Sequence, residues 1–122
     1  MPCVFVVDDD RTTSRLLMTL LEIEGYQVQV QAQPAKVLSM TQSSRPDAFI
    51  IDCLLADMDG IALLRAIRAE PTLSGVPVIM ISGLDRHDDC LRAGANTFLL
   101  KPFRPDELIQ ALRRLLSAAA TG

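Results

Sequence analysis

Val4-Phe5-Val6-Val7-Asp8-Asp9-Asp10 is the stretch that decides the fold. Four apolar residues, rich in β-branched valine, end abruptly on a row of carboxylates. A short apolar run without polar alternation reads as a strand covered on both faces. The same event recurs along the chain. Phe49-Ile50-Ile51 ends on Asp52, Val78-Ile79-Met80-Ile81 ends on Ser82, and Phe98-Leu99-Leu100 is followed by Lys101. Polar groups at the same end of successive buried strands converge on one edge of a parallel sheet. Open α/β sheets bind ligands at that edge. Carboxylates, one hydroxyl and one ammonium gathered there suit a divalent cation beside a reactive carboxylate.

The segments between these strands read as helices. Arg11 to Glu24 carries Leu16, Leu17, Leu20 and Leu21 at helical spacing, and Gly25 ends it. Tyr26 to Gln31 alternates apolar residues with glutamine, the pattern of an edge strand. Pro34 opens a helix to about Ser43, and Asp59-Gly60 opens another to about Glu70, with Ile61, Leu64, Ile67 and Arg68 in register. The charged stretch Asp85 to Asp89 leads into a short, weak helix ending near Gly94. Arg104 to about Ala118 is the last, with Leu108, Ile109, Leu112, Leu115 and Leu116 as its apolar stripe. Five strands alternating with five helices predict a doubly wound α/β unit. Its sheet is parallel and five-stranded, with helices on both faces and the flavodoxin-like strand order 2-1-3-4-5.

Composition sets the outer bounds. The chain has 122 residues, 49% hydrophobic and 22% charged, enough for one folded domain with one core. Residues 1–119 read as that domain, and 120–122 as a tail or the start of a linker. Net charge is -3, with no basic patch, which argues against direct nucleic-acid binding by this segment. Cys3, Cys53 and Cys90 have neither disulfide-framework nor metal-ligand spacing, so a reducing, cytoplasmic setting is expected. No apolar run approaches the roughly 18 residues of a membrane span.

Four blocks together carry a resemblance to the response-regulator receiver domains of two-component phosphorelays. They are Val6 to Asp10, then Asp47 to Gly60 with Asp52 and Met58-Asp59-Gly60, then Pro77 to Gly83 with Ser82, and Gly94 to Phe103 with Lys101-Pro102-Phe103. The resemblance implies a role for each matching position. Asp52 is the phosphoacceptor, taking a phosphoryl group from a phosphohistidine on a sensor histidine kinase or histidine phosphotransfer protein. Asp9 ligates Mg²⁺ directly and Asp8 mainly through water, with Asp52 and the backbone carbonyl of Leu54 completing the protein ligands. Lys101 pairs with a phosphoryl oxygen, and its bond to Pro102 is expected to be cis. Ser82 donates a hydroxyl hydrogen bond to the phosphoryl group. Phe98 is the switch aromatic, expected inward because it lacks a hydroxyl. Asp10 is expected to cap the first helix, and Asp59-Gly60 to make a turn and helix start. A C-terminal output domain is possible.

Departures from the family pattern carry further expectations. Leu54 and Leu84 stand where side chains tune hydrolysis of the aspartyl phosphate, and neither can orient a water, so slow self-dephosphorylation is expected. The stretch from Ser82 to Gly94 is about three residues short, nearly one helical turn. A short or irregular fourth helix follows, with His87 exposed and an altered surface around it. Ala56 replaces a proline often found there. Enzymatic activity in this reading is limited to self-phosphorylation and slow self-dephosphorylation, with no small-molecule turnover. The alternative is a phosphate-independent interaction module on the same fold. A small-substrate phosphatase lacks a lid and a second acid–base group. A flavin carrier lacks a phosphate-binding loop ringed by apolar or aromatic residues.

Overall fold

A computed structural model describes residues 1–55 and 58–121. The described residues form a five-stranded sheet, parallel throughout, with strands in the spatial order Gln27–Gln31, Cys3–Val7, Ala48–Asp52, Val78–Ser82 and Thr97–Leu100. In chain order the elements are β1 (Cys3–Val7), α1 (Arg11–Ile23), β2 (Gln27–Gln31), a 3₁₀ turn (Pro34–Lys36) running into α2 (Val37–Ser43), and β3 (Ala48–Asp52). Then come α3 (Gly60–Ala69), β4 (Val78–Ser82), α4 (His87–Ala93), β5 (Thr97–Leu100) and α5 (Pro105–Thr121).

Side-chain alternation along the central strands divides the core in two. Phe5, Val7, Phe49, Ile51 and Met80 face one side, packed with Val37, Leu64, Ile67 and Cys90 from α2, α3 and α4. Val4, Val6, Ile50, Ile79 and Ile81 face the other, packed with Leu17, Leu21, Leu108 and Leu112 from α1 and α5. Both faces are therefore covered, which is why β1, β3 and β4 read as unbroken apolar runs. β2 and β5 are the edges. The glutamines of β2 lie on its outer side, with Gln27 and Gln29 exposed.

Local chemistry fixes the ends of the helices. Asp10 caps α1, its side chain accepting from the amides of Thr12 and Thr13. Asp59 caps α3 by accepting from Ile61 N–H. Gly94 ends α4 in the left-handed region at φ 113°, where a side chain is disfavoured. α4 has seven residues and no side-chain cap, the short fourth helix that the sequence predicts. α5 runs to Thr121 rather than stopping near Ala118, because Ala118-Ala119-Ala120 has the highest helix propensity available.

Candidate functional site

The sheet reverses its winding between β1 and β3, the switch point where such sheets open a crevice. Register brings the polar strand ends together there. Val7 pairs with Ile51, so Asp8 and Asp52 leave adjacent strands at nearly the same level. Asp52 lies beside Ile81, one residue before Ser82, and Ser82 lies beside Leu100, one residue before Lys101. The result is a cavity of about 590 Å³ lined by Asp8, Asp9, Asp10, Asp52, Cys53, Leu54, Ser82, Gly83, Leu84, Arg86 and Lys101.

Among the described residues, each oxygen of the Asp52 carboxylate has one hydrogen-bond partner. Oδ1 accepts from Leu54 N–H at 2.9 Å, and Oδ2 accepts from Lys101 Nζ at 2.8 Å. Burial alone lowers the Lys101 ammonium. The Asp52 hydrogen bond and the nearby carboxylates of Asp52, Asp8 and Asp10 outweigh it and leave the group raised. Lys101 is anchored by its own backbone, which donates to Ser82 C=O at 2.7 Å. The Lys101–Pro102 bond is cis, as the sequence predicts.

Asp8 is buried to 2% exposure. Its Oδ1 accepts from Asp10 N–H at 2.9 Å, while Oδ2 has no hydrogen-bond partner among the described residues. Burial pushes its carboxyl up to about 6. The Asp10 amide and Lys101 pull it down, and the charges of Asp52 and Asp10 add to the rise. A buried carboxylate oxygen left unpartnered costs free energy. Asp8, Asp9, Asp52 and Leu54 line the same cavity, and carboxylate and carbonyl oxygens are the donors that Mg²⁺ takes. Among the described residues no three acidic, cysteine or histidine groups form a preformed metal cage. That is compatible with Mg²⁺, which keeps several waters and needs few protein ligands.

Ser82 is buried, and its Oγ accepts from Leu84 N–H at 3.1 Å. Its one O–H proton remains available to a group in the cavity. Leu54 and Leu84 stand at the rim, 78% and 70% exposed. Phe98 is half-buried against the α3–α4 side of the core, and the edge of the exposed His87 ring meets it at a centroid distance of 6.0 Å. Gly60 is required by close approach, since a Cβ there would overlap the Asp52 carbonyl oxygen. Ala56 lies outside the described residues.

Three features escape sequence reading. Arg86 lines the cavity, and its guanidinium forks onto Asp59 with Nη1–Oδ1 at 3.1 Å and Nη2–Oδ2 at 3.2 Å. The shortened stretch after Ser82 was the available signal, because it places Arg86 only four residues after Ser82 and directly before α4. Cys53 and Cys90 meet at Sγ–Sγ 3.4 Å, both buried as free thiols. Burial, then the Cys90 contact, pushes the Cys53 thiol up to about 12. Arg68 donates to the carbonyls of Gly94, Ser74 and Val76 and to the Asn96 side chain, tying α3 to the C-terminal end of α4 and to the α3–β4 connection. Periodicity marked Arg68 only as a position in the α3 register.

Comparison with known proteins agrees with this geometry. The chain is 34% identical over 116 residues to the DNA-binding response regulator MtrA of Mycobacterium leprae, covering 93% of this chain and 50% of MtrA. It is 30% identical over 119 residues to RpaA, a DNA-binding dual master transcriptional regulator of Synechocystis, covering 95% of this chain and 49% of RpaA. The chain thus spans about half the length of the curated relatives it matches. Among solved structures, a putative response regulator from Chloroflexus aurantiacus superposes with a TM-score of 0.91 at 32% identity, over 96% of this chain and 99% of that one. The chemotaxis response regulator CheY4 of Vibrio cholerae superposes with a TM-score of 0.87 at 27% identity, over 94% and 98%. The family profile of the response regulator receiver domain matches residues 4–113, and the chain belongs to that family.

Proposed function

We propose that this chain is a phosphoacceptor signalling switch, with Asp52 as the residue phosphorylated. The observation that carries this reading is the pairing of a buried Asp52, held by one ammonium and one amide, with an Asp8 Oδ2 that has no partner among the described residues, in the same cavity. Asp52 is oriented as a nucleophile, and its neighbour is an oxygen that wants a cation.

In the proposed step an oxygen of Asp52 attacks the phosphorus of a phosphohistidine on a sensor kinase or a histidine phosphotransfer protein. The P–N bond breaks, its electron pair stays on the imidazole, and an acyl phosphate forms on Asp52. Asp8, Asp9, Asp52 and the Leu54 carbonyl would hold Mg²⁺, which offsets charge on the transferring phosphoryl oxygens. Lys101 moves from the carboxylate to a phosphoryl oxygen, where it serves as a compact point charge. Ser82 turns its O–H to another. Hydrolysis reverses the modification: water attacks phosphorus, the bond to Asp52 breaks, and inorganic phosphate leaves. The phosphoryl group adds charge and acceptor oxygens in one place, and the switch passes that on as a population shift at a remote surface.

In this reading residues 1–119 form the receiver, acting in the cytoplasm, with an output domain or partner protein reading its state. Among the described residues no helix is long and apolar enough to cross a membrane. The test is incubation with Mg²⁺ and acetyl phosphate, followed by intact mass and a phosphate-affinity gel. The wild-type chain should gain one phosphoryl group, Asp52→Asn should gain none, and chelation of the metal should block uptake. No uptake, even from phosphohistidine proteins, would favour the phosphate-independent interaction module.

A further inference from the structure

Arg86 is the cation in the cavity that phosphoryl transfer to Asp52 leaves without a task. The described lining residues include four carboxylates, Asp8, Asp9, Asp10 and Asp52, and two cations, Lys101 and Arg86. Lys101 already sits on Asp52. Arg86 stands four residues after Ser82, immediately before α4, and its guanidinium is engaged by Asp59.

We propose that Arg86 is a second phosphoryl-binding residue of this pocket, transferring its guanidinium from Asp59 to the phosphoryl group on Asp52 and drawing the start of α4 with it. The inference rests on Asp52 being the phosphoacceptor. Geometry supports it first. Arg86 and Asp52 line one cavity, and Arg86 stands at its rim immediately before α4. Chemistry supports it second. A guanidinium presents a planar fork that matches a phosphoryl group as well as a carboxylate, so the exchange preserves its hydrogen bonds.

Electrostatics supplies the direction. Asp59 is 48% exposed in its side chain, and Arg86 is 30% exposed, so solvent screens their attraction. A phosphoryl group carries close to two negative charges and sits deeper, beside the buried Asp52. Release of Arg86 does not strand Asp59, because its Oδ1 also accepts from Ile61 N–H at 3.0 Å at the start of α3. The path outward is short. α4 begins one residue after Arg86, places Cys90 against Cys53, and carries the His87 ring that meets Phe98. At the start of α4 the Arg86 side chain is tied to Asp59, and Asp85 Oδ1 accepts from His87 N–H at 3.2 Å.

The probe is beryllofluoride with Mg²⁺, a phosphoryl mimic that binds the acceptor carboxylate, followed by ¹⁹F NMR on the full chain. Arg86→Gln should weaken its binding by roughly 5–20-fold, the range for losing a charge-assisted hydrogen-bonded pair. Arg86→Lys should recover part of the loss. Asp59→Asn keeps the α3 cap, since asparagine caps as well as aspartate, but frees Arg86. It should tighten binding by about 2–5-fold, and that gain should vanish in the Arg86→Gln background. A purely structural latch gives another pattern, in which both single variants weaken binding or leave it unchanged. Arg86→Gln within about twofold of wild type, or an Asp59→Asn effect that persists without Arg86, overturns the inference. If wild type binds beryllofluoride and accepts a phosphoryl group while these variants behave alike, the Arg86 role alone fails. If wild type does neither, the phosphoacceptor reading fails and takes this one with it.

Discussion

At the scale of single residues, Asp8 is where folding and function pull against each other. Its folded carboxyl sits near 6, above the ordinary value of 3.8, chiefly through burial. Below about pH 4 both the folded and unfolded chains hold the proton, and burial costs little. Between about pH 4 and 6 the folded state binds more protons than the unfolded one, so stability falls as pH rises, and above 6 the cost is complete. Asp8→Asn should therefore stabilise the metal-free chain by about 1–3 kcal/mol at pH 7.5, and by far less at pH 4, in thermal or urea unfolding. The same variant should lose most of the stabilisation that Mg²⁺ gives wild type. An Asp8→Asn chain less stable than wild type at pH 7.5 would contradict this account of the site. Leu54 and Leu84 support a second prediction. Their exposed apolar side chains flank Asp52 and Ser82 and cannot position a water, so the acyl phosphate should last minutes to hours, on the order of a slow receiver. A gel time course that shows loss in under about one minute would refute it. The thiols give a third. Burial raises all three thiols, with Asp47 adding to the rise at Cys3, but only Cys53 and Cys90 are buried from reagent while Cys3 is part-exposed. Alkylation of the native chain should mark Cys3, and the other two only on unfolding. Early labelling of Cys90 would mean that α4 opens readily.

At the scale of elements, α4 is the segment with most at stake. It is two turns long, ends in a positive-φ glycine, and leans on Arg68 for its C-terminal anchoring. Arg68→Ala removes four hydrogen bonds from one half-buried guanidinium. It should cost about 2–4 kcal/mol in denaturant unfolding. Hydrogen exchange should rise first in α4 and the α3–β4 connection, the segments Arg68 ties together. Uniform loss of protection would show that α4 is held by other means. This element also marks the limit of what the sequence discloses. Its shortness was legible, because the interval from Ser82 to Gly94 is visible in the chain. The Arg86–Asp59 fork, the Arg68 network and the Cys53–Cys90 contact were not. Each joins residues 27 to 37 positions apart, or distributes bonds to backbone carbonyls, and neither leaves a periodic trace. The strands were legible because being covered on both faces forces unbroken apolar runs. Helix ends were legible where Asp10, Asp59 and Gly94 announce them, and not at α5, where a run of alanine gives no stop signal.

At the scale of the whole molecule, the fold gathers the chemistry. A parallel sheet with its winding reversed between β1 and β3 leaves a crevice at the strand ends, and the chain places a carboxylate, a carboxylate, a hydroxyl and an ammonium at the C-terminal ends of β1, β3, β4 and β5. Gly60 protects that arrangement by letting α3 start against the Asp52 backbone. Gly60→Ala should destabilise the chain by more than about 2 kcal/mol and lower phosphoryl uptake even where folding is retained. The candidate site was therefore readable from strand ends alone, while its depth was not. Only packing reveals that Asp8 keeps a buried oxygen without a partner among the described residues and that a second cation lines the cavity. The central claim is that Asp52 receives the phosphoryl group, and the most direct test locates it chemically. The chain is incubated with Mg²⁺ and acetyl phosphate and reduced with borohydride, which converts an aspartyl phosphate to homoserine. Peptide mass mapping then reads the position. Homoserine at position 52 is the predicted result; homoserine at position 8, 9 or 59, or none in a chain that has gained phosphate, contradicts it.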